Sequence, residues 1–152
     1  MKMMCVMLAT IVLSSVQAQS FDYNVAWKEV DTALEEGLSQ TALDKTKEIF
    51  DKAEKENNAS QYTRALVFLA SLEFIYGEDV ALRVQDLFEL ALTKSSSPFK
   101  EIIHAYYAIF LNKYLQENRY EISSRTDSDD TRLKSISLTS LSAMVDEHLK
   151  QS

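Results

Sequence analysis

Two glycines and one proline in 152 residues constrain this chain more than any other feature. Strand-rich folds place these residues in tight turns, and the two types together make up roughly 12% of an average protein. A chain with so few is committed to long helices joined by brief connections. At this length one compact unit, or one short stack of helical hairpins, is expected.

Apolar periodicity and end signals place the helices. The first runs from about Tyr23 to Glu36, with Val25, Ala26, Val30 and Leu34, and stops at Gly37, a residue suited to a left-handed helix end. Ser39 is the expected cap of a second helix over about Gln40 to Lys55, with Leu43, Ile49, Phe50 and Ala53 on one side. Asn57-Asn58 ends it, and Asn58 with Gln61 resembles a capping box for the third helix, about Ser60 to Tyr76. That helix is apolar nearly all round and therefore central. Gly77 and Asp79 separate it from a fourth carrying Val80, Val84, Leu87, Phe88 and Ala91. Pro98, at a first helical position, opens a fifth from Phe99 to Tyr114.

Residues 121–132 are polar and aperiodic and read as an exposed loop. A last helix is expected within 133–152, with Leu138, Leu141, Val145 and Leu149 on one stripe. It has little chain left to pack against, so it either docks on the earlier helices or has lost a continuation. The segment Ile49-Phe50 with Ala53 recurs as Leu87-Phe88 with Ala91, thirty-eight positions on. The tetratricopeptide period is thirty-four with another consensus, so the likeness is architectural. The fold class is thus all-α: stacked antiparallel helical hairpins, a tetratricopeptide-like array of five to six helices, with the hairpin domain over 19–120.

The opening segment is an address. Lys2 precedes the apolar run Met3 to Leu13, followed by Ser14, Ser15 and the small-residue pattern Val16-Gln17-Ala18. This is the layout of a secretory signal peptide over residues 1–18, cleaved after Ala18. The run is about half the ~20 residues of a spanning helix, so no stable membrane span is expected. The processed chain would be periplasmic or secreted and would lose Cys5, its only cysteine, which excludes disulfides. Losing Lys2 as well takes the net charge from -7 to -8. Such a balance lacks the basic face that phosphate contacts require, so nucleic acid is not an expected partner.

Catalytic chemistry has no starting point: there is no Gly-x-Ser-x-Gly elbow and no glycine-rich phosphate loop. No cofactor and no metal are expected. His104 and His148 lie forty-four positions apart, and His104, between Ile103 and Ala105, reads as a packed, hydrogen-bonded side chain. Asp127, Asp129 and Asp130 lack the glycine and distant glutamate of a calcium loop and read as solvated.

Three stretches carry a resemblance. The first is Phe21-Asp22-Tyr23-Asn24-Val25-Ala26-Trp27-Lys28-Glu29-Val30, reaching Gly37-Leu38 and Thr41-Ala42-Leu43. The second is Ala53 to Gln61, followed by Arg64-Ala65-Leu66. The third starts at Ser97-Pro98-Phe99-Lys100, includes His104 and Tyr114, and closes with Gln116-Glu117-Asn118-Arg119-Tyr120 and Arg125-Thr126. In order and spacing they resemble the N-terminal helical region of the large alpha-2-macroglobulin-like proteins of Bacteroidetes. In that family, the resemblance implies, the region precedes macroglobulin β-domains, a bait segment and often a thioester. This chain has no Cys-x-Glu-Gln and no room for β-domains, so protease trapping does not carry over.

The expected role is a non-catalytic, protein-binding or docking module; the alternative is a truncated structural remnant without independent activity. Tyr106, Tyr107, Phe110 and Tyr114 line either a peptide groove or the core. The best candidates for contact with a protein partner are Tyr114, Asn118, Arg119, Tyr120 and Arg125, since arginine offers a rigid fork of donors and tyrosine a wet apolar face. The same residues could instead brace the polar loop against the helices.

Overall fold

The helical propensity of this glycine- and proline-poor chain is realised throughout: a computed structural model describes residues 21–73, 80–126 and 131–152, and among these there are seven helices and no strand. They are α1 (Tyr23–Glu35), α2 (Ser39–Lys55), α3 (Ala59–Glu73), α4 (Val80–Lys94), α5 (Phe99–Glu117), α6 (Arg119–Ser123) and α7 (Leu138–Gln151). The expected signal peptide, the end of the third helix at Tyr76 and Gly77, the Asp79 cap and the acidic trio at 127, 129 and 130 lie outside the described residues.

The first two connections repeat one design. After α1, Gly37 takes a φ of 73°, its N–H bonds Leu34 O, and Leu38 N–H reaches back to Ala33 O at 2.8 Å. After α2, Asn57 takes a φ of 53°, its N–H bonds Glu54 O, and Asn58 N–H reaches Ala53 O, again at 2.8 Å. Both are Schellman endings, in which one left-handed residue lets the chain satisfy the last carbonyls. The residue after it is already the N-cap of the next helix, since Leu38 O and Asn58 O accept from Ala42 and Tyr62. Ser39 is therefore the first residue of α2 rather than its cap, and Leu38 caps it without a side-chain bond. Asn58 fulfils its half of the capping box by accepting from Gln61 N at 3.3 Å. The Gln61 side chain is used elsewhere, by Trp27.

Helices α1, α3 and α5 lie side by side. The rings of Trp27 and Phe68 meet edge-on with centroids 5.0 Å apart, and α3 packs along α5. The repeat noted in the sequence puts Ile49, Phe50 and Ala53 of α2, and Phe88 and Ala91 of α4, into the core. Phe50 stacks on Tyr62 of α3 at 4.6 Å and Phe88 on Tyr107 of α5 at 4.9 Å, so each copy seats an aromatic ring on a neighbouring helix. Glu73, buried near the end of α3, ties three helices together through Lys47 of α2 and Arg83 of α4, both at 3.3 Å. Each long helix from α1 to α5 packs on its successor, a pattern in keeping with stacked helical hairpins.

The C-terminal third departs from expectation at three points. Pro98 is the N-cap of α5 and Phe99 its first residue, and α5 runs on to Glu117. The segment expected as a polar loop over 121–132 begins inside α6, where Ile122, its one apolar side chain, is fully buried. The last helix starts at Leu138, not Leu133, capped by Ser137 Oγ accepting from Ser140 N at 3.2 Å. Leu133 and Ile136 are nonetheless fully buried, in a non-helical connection. Helix α7 does dock on earlier chain, and its contact with α5 is the most extensive between any two helices described.

Candidate functional site

The five residues singled out as partner contacts divide into an inward and an outward set. Tyr114 is buried on α5, and its hydroxyl donates to the Leu133 carbonyl oxygen at 2.9 Å. Arg125 donates through Nη1 to the same oxygen at 2.9 Å and to Ile136 O at 3.2 Å, and through Nη2 to Glu121 at 2.7 Å. Its guanidinium stays charged, its pKa held up by Glu121 and Tyr114 although burial pulls the other way. Asn118 joins α5 to α6 and donates from Nδ2 to Tyr114 O at 2.9 Å. These three brace the fold. Arg119 is exposed and Tyr120 is 94% exposed, so of the five these two turn outward.

The brace has a member that periodicity does not reveal. Gln85 of α4 is fully buried, and its amide donates to Thr131 O and to Glu89 Oε1, both at 2.8 Å, while its Oε1 accepts from Leu133 N at 3.1 Å. Leu133 and Ile136 of the 131–136 connection thus turn inward, and the Leu133 N–H and C=O are satisfied by side chains, as buried backbone must be. Asp86 adds an outer tie to Arg132.

The two histidines, distant in sequence, meet across the α5–α7 contact. His104 Nδ1 and His148 Nδ1 are 2.7 Å apart, and the His148 ring lies 4.5 Å from that of Tyr107. At that separation one nitrogen donates and the other accepts, so the pair is stable only with at least one ring neutral. Burial lowers both pKa values; the cation of Lys100 depresses His104 further, and His104 depresses His148. Glu101 and Glu147 counter this in part at His104, and Glu147 and Glu89 at His148. Among the described residues no group of three or more histidine, cysteine or carboxylate side chains converges as a metal site would require. The pair does what the sequence suggested for His104: it packs and hydrogen-bonds.

A different surface is open. Of the aromatic set on α5, Tyr107, Phe110 and Tyr114 are buried, but Tyr106 is 42% exposed. With Ile102 at 41% and Ile109 at 60% it forms an apolar strip along α5. Opposite, α3 contributes Val67 and its neighbours, and two hollows of about 300 and 140 Å³ share Val67 and Tyr106 as a common saddle. Small-molecule pockets usually hold roughly 300–1,000 Å³, so these hollows suit side chains of a larger partner better than an enclosed ligand. The sequence showed a helix apolar on most faces; which face stayed open depended on where α4 and α7 came to lie.

Searches of protein-family models, curated proteins and solved structures find no match.

Proposed function

We propose that this chain is a non-catalytic helical module, exported to the periplasm, that works by binding another protein. The reading draws on the resemblance to the N-terminal helical region of Bacteroidetes alpha-2-macroglobulin-like proteins. The observation that carries it is the α5 strip: three large apolar side chains, each more than two-fifths exposed, in line along one helix beside a preformed groove. Contiguous exposed apolar surface with a polar surround is a mark of protein contact. The best-formed cluster of polar side chains, by contrast, is spent on the Leu133 backbone and leaves no donor set aimed at a substrate.

The residues of the resemblance fall into two spatial groups, which fits a shared scaffold. Trp27 of the first stretch donates from Nε1 to Gln61 Oε1 of the second at 2.7 Å, and Arg64 of the second lies 3.9 Å over the Trp27 ring. Tyr114, Asn118 and Arg125 of the third are the brace. The test uses cells expressing the full chain with Tyr106→p-benzoylphenylalanine. After irradiation, the envelope fraction is expected to contain a chain beginning at Gln19 and a discrete adduct, absent when the photoprobe replaces Lys55. A chain retained in the cytoplasm with residues 1–18 intact, or no adduct at position 106, would overturn the reading in favour of a structural remnant.

A further inference from the structure

We infer that the hollow between the α2–α3 and α4–α5 connections binds a neutral polyhydroxylated ligand, a mono- or disaccharide, against the hydroxyl of Tyr62.

One buried polar group has no role in the packing described above. Three tyrosines among the described residues are buried, Tyr62, Tyr107 and Tyr114. Tyr107 donates its hydroxyl to Glu89 at 3.3 Å and Tyr114 donates to Leu133 O at 2.9 Å. The hydroxyl of Tyr62, a residue only 7% exposed, has no partner among the described residues. Buried phenols ordinarily find one. A phenylalanine would stack on Phe50 equally well, so packing does not call for the oxygen.

Tyr62 lines a hollow of about 470 Å³, larger than the two beside the α5 strip and sharing no residue with them. That volume falls within the roughly 300–1,000 Å³ usual for small-molecule sites. Glu54 lines the same hollow, and its carboxylate lies near enough to join burial in pushing the phenol up to about 12. The hydroxyl therefore stays protonated and can both donate and accept.

The walls select the ligand. The only charged residues of the hollow, Glu54 of α2 and Lys94 of α4, pair with each other, so it presents neither a free cation nor a free anion. Its other polar side chains come from the two connections, Asn57 and Asn58 on one side and Ser95 and Ser96 on the other. Of these four only Asn58 is engaged among the described residues, its Oδ1 accepting from Gln61 N. Asn57 is held at a φ of 53° by the bonds of its turn, which fixes where its side chain leaves the backbone.

Amides and hydroxyls each donate and accept. An anion calls for donors alone and a hard cation for acceptors alone, whereas a sugar hydroxyl, itself donor and acceptor, matches a mixed neutral set. A peptide is the poorer fit. The backbone carbonyls of Ala53, Glu54, Asn58 and Ser96 already accept bonds within the chain, so no backbone edge is left to pair with a strand.

The test presents the purified full chain to an array of immobilised neutral glycans and then measures the selected sugar, free in solution, by saturation-transfer NMR and calorimetry. Inorganic phosphate and diglycine are the anionic and peptide probes. The sugar is expected to bind with a Kd on the order of 1 mM and to outcompete both probes. Tyr62→Phe should weaken it roughly tenfold, the loss of one hydrogen bond, without lowering the midpoint of thermal unfolding. Asn57→Gly keeps the left-handed turn and should weaken it by a similar factor. Binding lost in both variants at unchanged midpoints supports the inference. It is overturned if no glycan binds, if phosphate or diglycine binds more tightly than the sugar, or if sugar binding survives either substitution. A lowered midpoint in Y62F would assign the hydroxyl to the fold, and overturns it as well.

Discussion

Helices α1 to α3 meet through interdigitated apolar side chains and two three-residue connectors, whereas the connection ahead of α7 is held by side-chain hydrogen bonds to buried backbone. In the first region Val30, Ala42, Ile49, Ala53, Ala65 and Leu66 are fully buried, and ion pairs such as Lys45 to Glu29 sit on the surface, where they contribute little; Glu73, paired with Lys47, is the buried exception. In the second, one carbonyl oxygen, that of Leu133, receives both Tyr114 and Arg125, and one amide, that of Gln85, holds the backbone on both sides of residue 132. Apolar contacts fail gradually as atoms are removed. A buried hydrogen-bonded brace fails at once, because each group left behind carries its own desolvation cost.

The sharpest way to separate the two regions is a pair of truncations read by hydrogen exchange. Trp27→Ala removes a side chain only 3% exposed, with its ring contact to Phe68 and its bond to Gln61, and is expected to cost about 3–5 kcal/mol, spread over α1 to α3. Gln85→Ala removes fewer atoms and leaves Leu133 N buried without its partner, for about 1–3 kcal/mol. Its exchange signature should be confined to residues 131–151, with protection of α1 to α3 retained. Uniform loss of protection in Q85A would mean that the two regions unfold as one cooperative unit and the contrast is only one of chemistry.

Acid offers a second, weaker cut along the same line. His104 and His148 both titrate below the ordinary histidine value of about 6.5, so the unfolded chain binds more protons than the folded one as pH falls through that value. The stability contribution of the neutral pair is whole above pH ~6.5 and is lost progressively as pH falls toward the depressed folded values. The midpoint of thermal unfolding should therefore decline between pH 7.5 and 5, and exchange should rise first in α7. His148→Gln, which cannot take a proton, should flatten the profile. A slope unchanged in H148Q would assign the acid sensitivity to other groups.

The difference between the regions also governs how much could be read from sequence. The near absence of glycine and proline, the 3.6-residue apolar period and the left-handed stop at Gly37 made α1 to α5 legible, because each leaves a mark on neighbouring positions. The brace leaves no such mark. Gln85 looks like any polar helix residue until Thr131 and Leu133, nearly fifty positions on, arrive against it. Residues 121–132 looked polar and solvated, yet Ile122 is the anchor of α6 and Arg125 points inward to carbonyls. Tyr114 and Arg125, both in the set expected at a partner contact, donate to this chain's own backbone. Tyr106 and Tyr107, adjacent and chemically alike, part company only because helix geometry turns successive side chains by about 100°, and α4 and α7 cover one of them.

The smallest effects lie in the connectors, and they test whether the two turns of the first region are equivalent. Gly37 and Asn57 hold corresponding left-handed positions, yet one is a glycine and the other carries a side chain. A Cβ at position 37 would meet nothing within 4 Å, so Gly37→Ala reports the backbone conformation alone and should cost about 1 kcal/mol. Asn57→Gly removes a tolerated side chain from the same conformation and should gain at most ~0.5 kcal/mol, since the extra freedom of glycine in the unfolded chain offsets part of the relief. Gly37→Asn should fall between wild type and G37A. If denaturant melts show that order, the two connectors act as copies of one device, and the free energy of each depends on a single residue's access to positive φ. If G37A is neutral, the α1–α2 connector relaxes to another geometry, and the rigidity of the first region comes from its apolar contacts alone.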